Sequence, residues 1–331
     1  MNRRTLQLSL LIFAFTSAKS SFAQSGYTLQ KKISLSGNGG WDYLRIDEPG
    51  NRILVSHGDR VNVIDLKTEK EIGTIKNQHG AHHIITLPQY NKGYISNGDN
   101  NTVYVFNYTT LDSITTIKIN GENPDPMCFD KFSKRLYVFC DNNLAVIIDP
   151  ATAKVTGEIK LKGAPEFALP DDKGLIYNNL ESTDAMNIID VSKKAVIKTY
   201  KLQKDAAPTG MAADLKNNRL FVVCRGINQL AIIDSKSGKI ITSLPISAKV
   251  DGVYFDEKKH TIFCSGGDGF LTIITQKSKG EYKVVEKLKT KIGAKTMALD
   301  NRTHNIYLTA ADFNKNEVMP NSFALFIYSK K

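Results

Sequence analysis

The chain has 331 residues, of which 41% are apolar, 23% charged and 9% aromatic, and this excludes a disordered, collagen-like or coiled-coil protein. Lys and Arg number 44 against 33 Asp and Glu. The resulting net charge of +11 permits an anionic partner without showing one.

The chain opens on a basic stretch, Met1 to Arg4. A mostly apolar run, Leu6 to Phe15, follows, and then small and polar residues ending at Ala23. This is the pattern of a secretory signal cleaved after Ala23. The run is shorter than the roughly 20 residues of a membrane-spanning helix. No cysteine follows it to carry a lipid. Two segments are expected: residues 1–23 as a cleaved signal peptide, and residues 24–331 as one domain. Cleavage removes Arg3, Arg4 and Lys19 and lowers the net charge from +11 to +8. The mature protein is expected to be exported and soluble, with no membrane span. The periplasm is the expected compartment, with the cell surface or secretion as alternatives.

A repeat organises the remainder. Asp47, Leu87, Asp130, Pro170, Asp214, Asp256 and Asp300 each precede an apolar or aromatic residue by seven positions, at Leu54, Tyr94, Tyr137, Tyr177, Phe221, Phe263 and Tyr307. Successive turns lie 40, 43, 40, 44, 42 and 44 residues apart. A second apolar strand then ends on a polar residue, as in Ile147-Ile148-Asp149 and Ile232-Ile233-Asp234. Each unit holds four short strands rich in Val, Ile and Tyr between Gly/Asn/Asp/Lys turns, and no segment shows helical periodicity. Four strands per 40–45 residues is the mark of a β-propeller blade. The expected fold is all-β: a seven-bladed β-propeller of four-stranded blades. The last unit lacks a fourth strand, which the N-terminal strand Tyr27 to Leu35 is expected to supply. An insertion occupies residues 311–322.

Copies such as Asn218-Arg219-Leu220-Phe221-Val222-Val223 and Leu230-Ala231-Ile232-Ile233-Asp234 resemble the YncE-like, YVTN-repeat seven-bladed propellers of bacteria. Trp41-Asp42-Tyr43, Ala164-Pro165-Glu166-Phe167-Ala168 and Val250-Asp251-Gly252 are similar to segments of an exported subgroup. Ala81-His82-His83-Ile84 departs from the His-Gly-Ile pattern of that subgroup. The resemblance implies a fold. It implies little mechanism, since relatives range from ligand binders to a single-stranded DNA binder.

In a propeller the first strand of each blade lines the central channel. Five residues before each turn stand Asp42, His82, Asp125, Pro165, Thr209, Asp251 and Lys295, with Glu166 directly after Pro165. Loops on the same face add His57 and Arg225. Together Asp42, His57, His82, Asp125, Glu166, Thr209, Arg225, Asp251 and Lys295 form the expected ligand site, at the top mouth of the channel. No catalytic residue is assigned. His57 pairs better with His82 than His83 does, because neighbours on a regular strand point to opposite sides.

The leading expectation is a monomeric, non-enzymatic binding protein for a small polar molecule or a protein. No cofactor is expected, although oxygen and imidazole donors at the mouth suit a divalent cation. A metal-dependent hydrolase or lactonase, resting on Glu166, Asp125, Asp251 and His82, is the first alternative. The second is binding of nucleic acid or an anionic envelope polymer by lysine-rich turns on the bottom face, which include Lys134, Arg135 and Lys258. Few aromatic residues accompany that charge for base stacking. Cys128, Cys140, Cys224 and Cys264 are expected as buried free thiols.

Overall fold

The computed structural model describes residues 25–37, 39–315 and 317–330, so the expected signal segment 1–23 lies outside the described residues. These fold into an all-β propeller with four-stranded blades. There are five four-stranded antiparallel sheets, one six-stranded sheet and a small two-stranded ribbon.

Burial follows position within a blade. Arg135–Cys140 and Leu144–Asp149, the middle strands of one sheet, are apolar on both faces and almost wholly buried, because neighbouring sheets cover both sides. Ser113–Lys118, an outer strand, buries a single residue. The core therefore lies between sheets. One cluster joins Leu136, Val138, Val146 and Ile148 to Ile85, Tyr94, Val103 and Val105 of the preceding sheet. All four cysteines sit in such layers as buried free thiols. Burial pushes the thiols of Cys140 and Cys224 up to about 12, which leaves them unreactive.

The recurrent aspartates hold the turns. The backbone N–H of Ser133 donates to Asp130 at 2.7 Å, that of Lys173 to Asp171 at 2.8 Å and that of Arg302 to Asp300 at 2.9 Å. Asp149, Asp190 and Asp234 do the same at the turns after the third strands. A short side-chain acceptor bonding its own backbone two or three residues on makes the turn locally favourable.

The sequence leads to seven separate sheets, whereas the described residues form six blade sheets. The cause is length: Arg52–Asp65 runs for 14 residues and Lys70–Leu87 for 18. Residues 70–76 pair with residues 60–65, residues 81–87 pair with Lys92–Asn97, and a Gly58–Ala81 pair bridges the two regions. The innermost strands contact one another in a cycle. Trp41–Asp47 touches Lys70–Leu87, followed in turn by Pro124–Asp130, Pro165–Pro170, Pro208–Asp214, Val250–Asp256 and Met297–Leu299, which touches Trp41–Asp47 again.

The ends of the chain meet in one sheet. Tyr27–Ser34 pairs antiparallel with Ala324–Lys330, from Tyr27 opposite Lys330 to Ser34 opposite Ala324. This covers an edge that would otherwise present unpaired backbone groups. The insertion carries the ribbon, in which Phe313–Asn314 pairs with Glu317–Val318. No helix among the described residues is long and apolar enough to cross a membrane.

Six of the innermost strands share one irregularity. Their pairing shifts register near the start: between Trp41 and Leu44, Ala81 and Ile84, Pro124 and Met127, Pro165 and Phe167, Pro208 and Met211, and Val250 and Gly252. Such bulges bend a strand and re-aim its side chains. They decide which residues reach the channel.

Candidate binding site at the channel mouth

Asp42, His82, Asp125, Glu166, Thr209 and Asp251 each stand directly after the first residue of a bulge. Glu166, not Pro165, occupies the shared position. The turn of that sheet is one residue later than the spacing suggests, since Asp171 N–H donates to Leu175 C=O at 2.9 Å.

The mouth contains two linked groups. In the first, His82 Nδ1 lies 2.8 Å from Asp42 Oδ2 and 3.8 Å from Asp125 Oδ1. Burial opposes a charge on His82, but the hydrogen bond to Asp42 and the negative charge of Asp125 outweigh it and hold the imidazolium up to about 9. Burial, then the charge of Asp42, raises Asp125. The Asp125 Oδ1 atom is buried and has no hydrogen-bond partner. Donor atoms of Asp42, His82 and Asp125 lie within 4.8 Å of one another, close enough to share one metal ion.

Arginine organises the second group. Arg225 Nη1 lies 3.2 Å from Asp251 Oδ1, and Nη2 lies 3.4 Å from Glu166 Oε1 and also contacts Glu181. Lys295 Nζ completes it, 2.7 Å from Asp251 Oδ2. Burial, with Asp125 and Asp251 adding negative charge nearby, pushes Glu166 up to about 9. The mouth therefore carries five acids and three bases. A cavity of about 550 Å³ opens beside Asp42, His82 and Lys295, with Asp59, His79 and Asp99 on its wall.

Two expected residues lie elsewhere. Thr209 is fully buried and its hydroxyl donates to Val250 C=O at 3.2 Å. His57 is buried against Phe323, with ring centroids 3.9 Å apart, and its Nδ1 faces Ser36 C=O at 3.3 Å. Burial lowers its pKa. It does not join the Asp42–His82–Asp125 group.

His83 does enter the channel. The bulge at Ala81/Ile84 suspends strand alternation, so His82 faces the mouth while His83 stacks on Tyr43, centroids 4.3 Å apart. Met127 N–H donates to His83 Nδ1 at 2.9 Å. Burial, reinforced by the positive charge of Arg45, holds this ring neutral with a pKa of about 3. Tyr43 crosses the channel, its hydroxyl donating to Glu166 C=O at 3.3 Å and its ring 6.1 Å from Phe167. These three rings gather within the channel beneath the mouth, and nothing in the repeat spacing marks them.

Some cations of the bottom face are paired. Lys131 with Asp172, Arg135 with Asp149, Lys193 with Asp190, and Arg219 with Asp234 lie 2.8 to 3.7 Å apart. Of the aromatic residues near it, Tyr108 bonds Asp47 at 3.1 Å and packs on Arg52, while Phe132 is exposed.

Among solved structures, the chain is similar to one from Kuenenia stuttgartiensis hydrazine synthase, at 17% identity and a TM-score of 0.71 over 84% of this chain and 93% of that one. At that identity the likeness shows the fold alone. No protein-family model matches the chain, and neither does any curated protein.

Proposed function

We propose that this is an exported, non-enzymatic propeller of the YncE-like, YVTN-repeat type that binds a small polar ligand at the channel mouth. In this reading the ring has seven blades, and the six-stranded sheet is two blades joined through Gly58 and Ala81. Leu66 N–H donates to Asn51 C=O, as Tyr108 donates to Asn91 and Ser235 to Asn218 at the second-to-third-strand hairpins of other sheets. That bond supports a hairpin folded inside Arg52–Asp65.

The observation that carries the ligand reading is Asp125 Oδ1, buried without a hydrogen bond, its nearest cation His82 Nδ1 3.8 Å away, among seven other converging ionisable groups. A buried acceptor left unpaired is unfavourable, and a hydroxyl or ammonium group of a ligand would satisfy it. The experiment compares native mass spectra of the mature protein and of Asp125→Asn and Glu166→Gln. A bound small molecule present in the wild type and lost from both variants supports the reading. A bare wild type overturns it.

A second reading places a divalent cation on Asp42, His82 and Asp125, and with it the metal-dependent hydrolase alternative. Two carboxylates and an imidazole suit zinc or another first-row ion. Glu166 and Asp251 are poor further ligands, because burial and nearby acids keep a proton on Glu166 and Asp251 is already paired with Arg225 and Lys295. A metal must displace the His82 proton and any proton on Asp125. Zinc titration at pH 7 in buffers of different ionisation heat should release one to two protons, and Asp42→Asn should abolish binding. Binding without proton release, or no binding, excludes this site.

A further inference from the structure

The lower half of the channel holds an arginine without a partner. Seven arginines lie within the described residues, and six form ion pairs: Arg52, Arg60, Arg135, Arg219, Arg225 and Arg302. Arg45 forms none, and its Nε is buried with no hydrogen bond. A guanidinium cannot shed its proton to escape this situation. Arg45 is half-buried, and a buried Nε with no acceptor is a contact left open for an anion that is not part of this chain.

Arg45 and Tyr254 line two adjoining cavities, of about 260 and 320 Å³. Tyr43, His83, Phe167, Met211 and Met297 wall the upper one, a largely apolar and aromatic surface. The lower one opens toward the bottom face past Ile46, Glu48 and Thr86. Tyr43, His83 and Phe167 stand between these cavities and most of the mouth, and Asp251 lines the upper cavity as well as the mouth. Their volumes lie near the lower end of small-molecule sites, at about 300 Å³.

We propose that the lower channel binds a small aromatic monocarboxylate, entering from the bottom face. Its carboxylate meets the Arg45 guanidinium and the Tyr254 hydroxyl. Its ring lies among Tyr43, His83 and Phe167, where offset or edge-on packing is favourable. A single unpaired cation calls for a single negative charge, and a guanidinium matches a carboxylate in two-point geometry. The lysine-rich turns around the lower opening favour the approach of anions.

The test is calorimetry of the whole mature protein with cinnamate as probe and cinnamamide as its neutral counterpart. Cinnamate should bind the wild type about tenfold or more tightly than it binds Arg45→Met, and tighter than cinnamamide by a similar factor. Tyr254→Phe should weaken it by a smaller factor, and Asp42→Asn at the mouth should leave it unchanged. Free Arg45→Met should melt about 2 °C higher than wild type, because an unpaired charge is gone. Equal cinnamate affinity in wild type and Arg45→Met, or no binding to the wild type at millimolar probe, overturns the proposal. If Arg45→Met fails to fold, the Tyr254→Phe and cinnamamide comparisons decide alone.

Discussion

The two halves of the channel are lined by the same strands and have opposite chemistry. Above the Tyr43–His83–Phe167 plug, five acids share three cations, and almost every charge has a partner within 3.8 Å. Below it, aromatic rings surround one arginine with no partner. The difference follows from local backbone form. Residues of the mouth come from the bulged starts of the strands, where re-aimed side chains converge. The lower channel is lined by Tyr43 and His83, the last residues of two bulges, and beyond them by regular portions of the strands that bring Arg45, Met211 and Tyr254 inward.

Removing the divider is the harshest way to break this separation. Tyr43→Ala deletes the stack on His83 and the bond to Glu166, and should destabilise the protein by about 3 kcal/mol in urea unfolding. It should also join the two halves and abolish cinnamate binding below. A folded variant of unchanged stability would show that Tyr43 is no keystone.

A smaller effect is expected from Arg225→Ala, which leaves Glu166, Glu181 and Asp251 facing one another. About 1–2 kcal/mol should be lost, less than for a fully buried pair because the site is partly open to water. The loss should shrink at low pH, where these carboxyls are neutral.

The mouth also sets a pH dependence opposite in sign to that of His83 below it, whose contribution is complete above 6.5 and is lost as pH falls toward 3. Glu166, raised from 4.5 to about 9, and His82, raised from 6.5 to about 9, both hold a proton in the folded state that the unfolded chain releases earlier. Their contributions are complete below 4.5 and 6.5 respectively and are lost as pH rises toward 9. Melting temperature should therefore fall from pH 6.5 to pH 9, where His82 and Glu166 act together, and His82→Gln with Glu166→Gln should flatten that slope. Turn aspartates such as Asp65 and Asp234, lowered mainly by backbone hydrogen bonds, act in the opposite sense only below the ordinary carboxyl range of about 3.8. A slope unchanged in the double variant would place the effect elsewhere.

The smallest change lies outside both halves. Asp130→Ala removes the acceptor for Ser133 N–H and should lose about 1 kcal/mol. Ligand affinity at either site should stay the same. A change in affinity would mean that turn and channel are coupled.

The repeat was legible because turn aspartates and apolar strands recur at nearly fixed spacing, and each has a local physical cause. Asp42, His82, Asp125 and Asp251 were legible for the same reason, by equivalence between repeats. Glu166 fell one place off the count because its turn is held by Asp171. The inward His83, the Tyr43 plug and the burial of His57 were not legible, since bulges break the alternation from which facing is read. The fused sheet was hidden too: strand length depends on the Gly58–Ala81 pairing, which no spacing records. Arg45 looks like any strand arginine until its lack of an ion pair among the described residues is seen in three dimensions.

The most direct measurement is the native mass spectrum of the mature protein from its own source, set beside that of Asp125→Asn. A bound small molecule on the wild type that disappears from the variant is the predicted result. A wild type of bare protein mass, or a bound molecule that persists in Asp125→Asn, would contradict a ligand site at the channel mouth.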